Sequence, residues 1–370
     1  MTMIFMNYSF YSNLTNRSIA GDILDKETCR KILNSSKIEI LPLLAAAFTV
    51  RKKFRGMEVI VHIINNAQNG HCPEDCHYCA QAKTSKADIE EYPLKSDEEI
   101  LAEAKAAYEK GAFRYCMVFA GRGPSPRRVE KLSGLIKKIK TLYPNNEVCL
   151  STGLFNDEAA FKFKAAGLDR LNHNLNTSER HYPNICTTHT FQDRLNTLSS
   201  ARKAGIQLCS GLIAGMGEGD DDIIEVAMRL RELKAESIPV NFLVPIEGNV
   251  LDEATGLTPE KCLRILCLYR FLNPTCELRM SAGREGHLRG MEVMGLYPAN
   301  SLFLQGYLNT KGSSNLRTLR MIKDAGFTIK SDVNLDELIT QEERGAETFY
   351  VDDAQTLIKN IKDLRPQLKA

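Results

Sequence analysis

From about residue 57 the chain alternates short β-rich runs with longer amphipathic stretches, and it does so eight times. The candidate strands are Glu58–Ile64, Arg114–Ala120, Glu147–Gly153, Arg170–Asn176, Gln207–Gly215, Ile238–Val244, Glu277–Gly283 and Ser301–Tyr307. Between them lie helical patterns such as Ser96–Lys110, Asn156–Ala166, Phe191–Ala204 and Pro259–Leu272. Strand-then-helix repetition argues for a parallel sheet with helical crossovers, and eight units close a barrel. The expected fold is therefore α/β, a (β/α)8 TIM barrel over residues 51–330. An open doubly wound sheet is the alternative, weakened because no Rossmann glycine fingerprint opens the first unit. Residues 1–50 read as an N-terminal helical extension capping the barrel. Residues 331–370 read as an appended helical tail, with a helical pattern at Ala354–Leu364.

Charge narrows the function classes. With 48 basic and 46 acidic residues the chain has no electrostatic footprint for nucleic acid or an anionic membrane. No apolar run is long enough to span a bilayer. Met1–Asn13 lacks the basic and compact apolar regions of a signal peptide, so a cytoplasmic chain is expected. Eleven cysteines, odd in number and scattered, do not make a disulfide scaffold. They suit a reducing compartment in which some thiols ligate metal, while Cys29, Cys262 and Cys267 read as core filler.

The chemistry concentrates in Asn69-Gly-His-Cys72-Pro-Glu-Asp-Cys76-His-Tyr-Cys79-Ala-Gln81, which sets three cysteines at C-x3-C-x2-C on one loop. Thiolates so close converge on one inorganic centre. Iron–sulfur clusters normally take four such ligands, so three leave one metal position for something that is not protein. A structural zinc knuckle is the alternative and would need His71 or His77 as its fourth ligand.

This loop resembles that of the radical S-adenosylmethionine enzymes, and HCPEDCHYCAQ in full resembles the biotin synthase family. Further segments match at the same order: Arg114-Tyr-Cys116-Met, Asn172-His-Asn174-Leu-Asn176-Thr-Ser, Thr187-Thr-His-Thr-Phe-Gln-Asp-Arg194-Leu, Leu208-Cys209-Ser-Gly211 and Arg279-Met-Ser-Ala-Gly283-Arg-Glu. Together they span roughly residues 50–330. The resemblance implies that Cys72, Cys76 and Cys79 hold a [4Fe–4S] cluster whose free iron chelates S-adenosylmethionine. It further implies an auxiliary [2Fe–2S] cluster on Cys116, Cys149, Cys209 and Arg279, the source of the sulfur inserted into dethiobiotin. Taken singly, each of those cysteines reads as core filler. Arg279 reads as an interior salt-bridge partner, because arginine stays protonated and ligates metal poorly. Cys276 is close enough in sequence to compete with it.

The same resemblance gives Asn174, Asn176 and Arg194, with Gly211, Ile213 and Gly215, to the cofactor, and Asn172, Asn174 and Asn241 to the substrate. The three asparagines alternate along one predicted strand and so share a face. The family often carries aspartate where Asn176 stands. Read alone, Arg194 is as well explained as a solvated helix charge, His173 as a structural side chain on the opposite face, and Cys186 as core. No side chain is expected to be catalytic, since the cofactors carry the radical chemistry. The implied partners are a flavodoxin- or ferredoxin-type reductant, cluster-assembly machinery and a second copy in a homodimer. The rivals are a different radical enzyme on a similar barrel, such as methylornithine synthase or a hydrogenase maturase, and a non-catalytic iron–sulfur or zinc protein.

Overall fold

The structure, a computed structural model, describes residues 2–345, 359 and 361–367. Its centre is a parallel sheet of β1 (Glu58–Gln68), β2 (Arg114–Phe119), β3 (Glu147–Ser151), β4 (Arg170–Asn172), β5 (Gln207–Cys209), β6 (Leu212–Ala214), β7 (Ser237–Phe242), β8 (Glu277–Met280) and β9 (Ser301–Leu304). β9 returns to pair with β1 (Ile60↔Ser301 to Ile63↔Leu304), so the sheet closes on itself. β5 and β6 are two halves of one stave, both paired with β7, which leaves eight staves and the expected barrel. The stave is interrupted where Gly211 faces Pro239, which has no N–H to give the ladder. A Cβ on Gly211 would lie 1.8 Å from the Pro239 carbonyl oxygen, so only glycine allows the approach. A short β10 (Thr328–Ile329) extends the sheet beside the start of β1.

The strands are buried almost continuously rather than in alternation, as when one face fills a barrel and the other is covered by helices. The covering helices include α4 (Asp97–Glu109), α5 (Pro126–Leu142), α6 (Asp157–Ala165), α7 (Phe191–Lys203), α8 (Asp220–Glu232) and α9 (Pro259–Leu272). Ser96 and Ser125 cap α4 and α5 through their side chains, accepting from Glu99 N and Arg128 N. The N-terminal extension is helical: α1 (Thr2–Ala20), α2 (Lys26–Asn34) and α3 (Ile40–Arg55). It lies mostly along the flank, against α8 and α9, rather than across a barrel end. That placement explains why α9 is buried from Cys262 to Leu272 on every face. Most of the predicted tail helix falls outside the described residues. Ile361–Leu364 is helical, and Lys359 N donates to Asn309 O at 2.8 Å.

The barrel interior is charged toward the strand starts. Glu277 on β8 accepts from both terminal nitrogens of Arg114 (3.0 and 2.8 Å), from Arg279 Nη2 (2.8 Å) and from His62 Nε2 (2.9 Å), all four side chains being buried. Burial alone would raise the Glu277 pKa, but Arg114, His62 and Arg279 outweigh it and hold the carboxyl well below its usual range. For His62 burial dominates, aided by the two arginines, and its pKa lies well below the ordinary value. Glu277→Ala strands buried cations and should cost about 3–5 kcal/mol in urea unfolding. The pH dependence has a definite order. His62 must stay neutral, so stability begins to fall as pH drops below about 6.5, where the unfolded chain takes up the proton. The Glu277 contribution is complete above the ordinary carboxylate pKa and is lost only at lower pH, as the folded group protonates.

Candidate functional site

The loop after β1 opens at the carboxyl ends of the strands, where barrels of this kind build their sites. Gly70 and His71 take positive φ (82° and 53°), turning the chain sharply into the cysteine segment. Cys72 bridges Ala82, Cys79 N donates to Cys76 O at 3.0 Å, and His77 N donates to Ile185 O at 2.9 Å. Asn69, fully buried, anchors the base by donating to Glu90 O (2.6 Å) and Asn309 Oδ1 (2.7 Å). The loop is thus pinned on both sides. Cys72, Cys76 and Cys79 all line a cavity of about 380 Å³ at the barrel mouth. No cysteine here is in a disulfide. Burial raises the Cys79 thiol to about 11 and also raises Cys72, so both are protonated unless a metal centre displaces their protons. His71 does not serve a zinc knuckle: its side chain is 71 % exposed and faces Glu91.

The same cavity reaches down to Arg279 and across to Asn172, His173, Asn174, Asn176, Arg194, Ile213 and Asn241. Here the regular-strand expectation fails in an instructive way. β4 ends at Asn172, so Asn174 and Asn176 do not share a strand face with it. Asn176 instead takes a left-handed conformation (φ 70°), its N–H on Gly211 O and its carbonyl accepting from Ile213 N. All three asparagines still line the cavity. The amide oxygens of Asn172 and Asn174 are buried without a hydrogen-bond partner, as is His173 Nε2. His173, expected to turn away, lies in the cavity wall, as Arg194 and His189 do. Orphaned buried acceptors in a cavity wall fit a polar ligand.

Arg194 is not a solvated charge. It projects inward from α7, 8 % exposed, donating to Asn174 O (2.9 Å), to His189 Nε2 (2.9 Å) and to the Tyr182 hydroxyl. Burial disfavours its charge, but Tyr78, Tyr182 and Cys76 more than compensate and raise its pKa. A fixed buried cation at the cavity wall suits a carboxylate. Of the glycine-rich run only Ile213 lines the cavity; Gly215 (φ 98°) is required by its turn and by Leu257, as Gly211 is by Pro239. Asn241 lines the cavity too, yet its amide braces the wall, donating to Leu212 O (3.0 Å) and accepting from Ala282 N (3.3 Å).

Deeper in the barrel, Cys116 and Cys149 are register partners on β2 and β3. The Cys116 thiol is the largest cause raising Cys149, with burial next. Cys209 on β5 accepts from Arg279 Nη1 at 3.6 Å, and both Arg279 and Cys149 act on its charge. The three cysteines are at most 3 % exposed. Strands far apart in sequence thus bring Cys116, Cys149, Cys209 and Arg279 into one buried group. Cys276 does not join it: alternation on β8 turns it to the other side, into the apolar core beside Arg270 and Arg55. Cys29, Cys262 and Cys267 are core, as expected.

Sequence reasoning missed one cluster. Cys186, expected to be core filler, lies with its Sγ 3.8 Å from Cys76 Sγ and 3.3 Å from both Asp75 Oδ1 and His189 Nδ1. The Cys76 contact, against burial, leads in drawing its thiol down to about 4. The available signal was its place directly before Thr187-Thr-His189, inside a motif otherwise matched.

Residues 69–230 match the Radical SAM superfamily model and residues 239–328 the Biotin and Thiamin Synthesis associated domain. A biotin synthase of Acaryochloris marina is 52 % identical over 331 residues, 88 % of this chain and 93 % of that one. A biotin synthase of Magnetococcus marinus is 54 % identical over 317 residues, 86 % and 98 % of the two chains. Among solved structures, methylornithine synthase superposes with a TM-score of 0.72 at 19 % identity, covering 88 % of this chain and 99 % of its own. The FeFe-hydrogenase maturase of Carboxydothermus hydrogenoformans gives 0.73 at 18 % identity, covering 88 % and 80 %. The two structures show a shared barrel and nothing more specific.

Proposed function

Because the chain belongs to the biotin synthase family of radical S-adenosylmethionine enzymes, we infer that it converts dethiobiotin to biotin by inserting one sulfur atom at two saturated carbons. Its cofactors are a [4Fe–4S] cluster, a [2Fe–2S] cluster and S-adenosylmethionine. The observation that carries the reading, beyond kinship, is one cavity with a cysteine trio at its mouth that reaches down to Arg279, whose guanidinium donates to Cys209 of the buried inner group. We assign Cys72, Cys76 and Cys79 to the first cluster and Cys116, Cys149, Cys209 and Arg279 to the second. Bound there, the cofactors supply a carbon radical able to take hydrogen from an unactivated C–H bond, which no side-chain base can ionise.

The protein's part is placement. Arg194 offers its guanidinium to the cofactor carboxylate, already braced by Tyr182 and Asn174 O. The free amide oxygens of Asn172 and Asn174 are acceptors suited to the ureido N–H groups of dethiobiotin. Glu277 positions Arg279 beside Cys209. A reconstitution without oxygen, supplied with dethiobiotin and a reductant, should yield biotin by mass spectrometry. Deoxyadenosine without biotin would place the chain with another substrate.

Asn176 is the test of the cofactor wall. Its Nδ2 donates to the Tyr78 hydroxyl at 2.6 Å, and its positive φ makes glycine the replacement that removes only the side chain. Asn176→Gly should weaken S-adenosylmethionine binding by about 0.5–1.5 kcal/mol in equilibrium titration, and aspartate should keep much of the affinity. Unchanged affinity would put this amide outside the contact.

A flavodoxin- or ferredoxin-type donor, cluster-assembly proteins, a homodimer and a cytoplasmic location complete the reading. The eleven free cysteines support a reducing compartment. No helix among the described residues is long and apolar enough to cross a membrane.

A further inference from the structure

Cys186 and His189 have no task in the reaction assigned above, yet they complete a metal-binding geometry with one loop cysteine. Ligand atoms of Cys76, Cys186 and His189 all lie within 4.8 Å of one another, and all three residues are buried. The Cys76 and Cys186 sulfurs are 3.8 Å apart. A tetrahedral ion with metal–sulfur bonds of about 2.3 Å holds its two sulfurs at about that same separation. His189 brings Nδ1 to 3.3 Å and Nε2 to 3.8 Å from Cys186 Sγ. With a metal–nitrogen bond of about 2.0–2.1 Å, the tetrahedral sulfur–nitrogen separation is about 3.6 Å, between those two values.

The surroundings favour Nε2 as the ligand. Glu74 Oε2 lies 2.5 Å from His189 Nδ1 and takes its proton-bearing side, as carboxylates do behind metal-bound histidines. Nε2 now accepts from Arg194 Nη2 at 2.9 Å, and Arg194 keeps Asn174 O, Tyr182 and Tyr78 as partners if it yields. Asp75 Oδ1 accepts from Cys186 Sγ at 3.3 Å and from the Thr187 and Thr188 amides, which fixes Cys186 from outside the three-ligand group. Two thiolates and an imidazole suit zinc or ferrous iron over magnesium or calcium.

We propose that the cluster-free chain binds one thiophilic divalent ion, of the zinc or ferrous class, through Cys76, Cys186 and His189. Binding releases to solvent the proton that Cys76 donates to Cys186 and involves no redox change. Cys76 is also one of the loop ligands assigned to the four-iron cluster. A single sulfur ligating both would leave the cluster one protein ligand short, so the ion and the complete cluster exclude each other. The site therefore acts as a gate on cluster loading: it either hands iron to the loop or, filled with zinc, blocks it.

The test uses the full-length, cluster-free chain under reductant without oxygen, titrated with Co²⁺ as a spectroscopic probe and then with Zn²⁺ to displace it. One equivalent of Co²⁺ should give tetrahedral d–d bands and thiolate charge-transfer absorption. Cys186→Ser and Cys186→Ala should each lose the charge-transfer intensity and bind Zn²⁺ at least tenfold more weakly, with unchanged far-ultraviolet circular dichroism. Glu74→Gln should weaken binding by roughly tenfold through the histidine. Cys79→Ala, which removes a loop ligand outside the site, should bind the ion as wild type does. Zinc added before iron and sulfide should suppress cluster formation in wild type and much less in Cys186→Ser. Wild-type Co²⁺ spectra in both Cys186 variants, no stoichiometric binding at all, or loss of the ion in Cys79→Ala would overturn the proposal. The last outcome would put the ion on the loop trio. None of these readouts depends on biotin formation, so failure here leaves the assigned reaction standing.

Discussion

Cys76→Ala should reduce the reductive cleavage of S-adenosylmethionine to the background of the cluster-free chain. Cys76 is the most buried of the loop trio, 9 % exposed, and the turn that holds it is fixed by the Cys79 N to Cys76 O hydrogen bond. Losing one of three thiolates leaves a cluster with two protein ligands and no defined open iron. Cys186 lies close enough to stand in, so the double variant Cys76→Ala/Cys186→Ser is the stricter arm. Deoxyadenosine release and iron and sulfide per chain are measured for both. Residual cleavage in the single variant that vanishes in the double identifies Cys186 as the substitute. Full cleavage in the double would remove Cys76 from the ligand set.

The second large effect separates radical generation from sulfur insertion. Cys116→Ala, Cys149→Ala and Cys209→Ala should each lose biotin formation while the loop cluster still assembles and some cofactor cleavage persists. The loop cysteines line the cavity, whereas of the inner set only Arg279 reaches it, and only the loop set has the spacing that leaves a metal position open. Arg279→Ala should behave differently. Its guanidinium is held by Glu277, Ser237 and Ser301 as well as facing Cys209, so its loss should perturb the inner cluster and leave partial turnover. Iron, sulfide, deoxyadenosine and biotin are followed together without oxygen. Wild-type iron with undiminished biotin in the three cysteine variants would reduce these residues to core packing.

The barrel was legible because its signal is a repeated period. Each strand start was read to within a residue, and Pro259–Leu272 was read at both ends. What failed depended on contacts across strands. The stave over Gln207–Gly215 breaks because Pro239, on a different strand, cannot donate to it. The run Asn172–Asn176 leaves the sheet once its pairing with Cys209 is complete. The proposed ligand sets come from motif; burial and charge are not written there, so Arg194 read equally well as a surface residue. The Cys186–His189 group escaped because its partner Cys76 is 110 residues away and reaches it only through the pinned loop.

The seam between β1 and β9 has a consequence for biosynthesis. Ile60 leaves the ribosome long before Ser301, its register partner, so for most of translation the sheet is an open trough with β1 as a bare edge. Cys116, Cys149 and Cys209 are all present in that trough, and Arg279 arrives just ahead of the closing stave. Vectorial synthesis therefore lines up the inner ligand set before the barrel has an inside. A nascent chain stalled short of Ser301 would display two unpaired parallel edges together with its metal-seeking thiols, the species that chaperones and proteases would meet first.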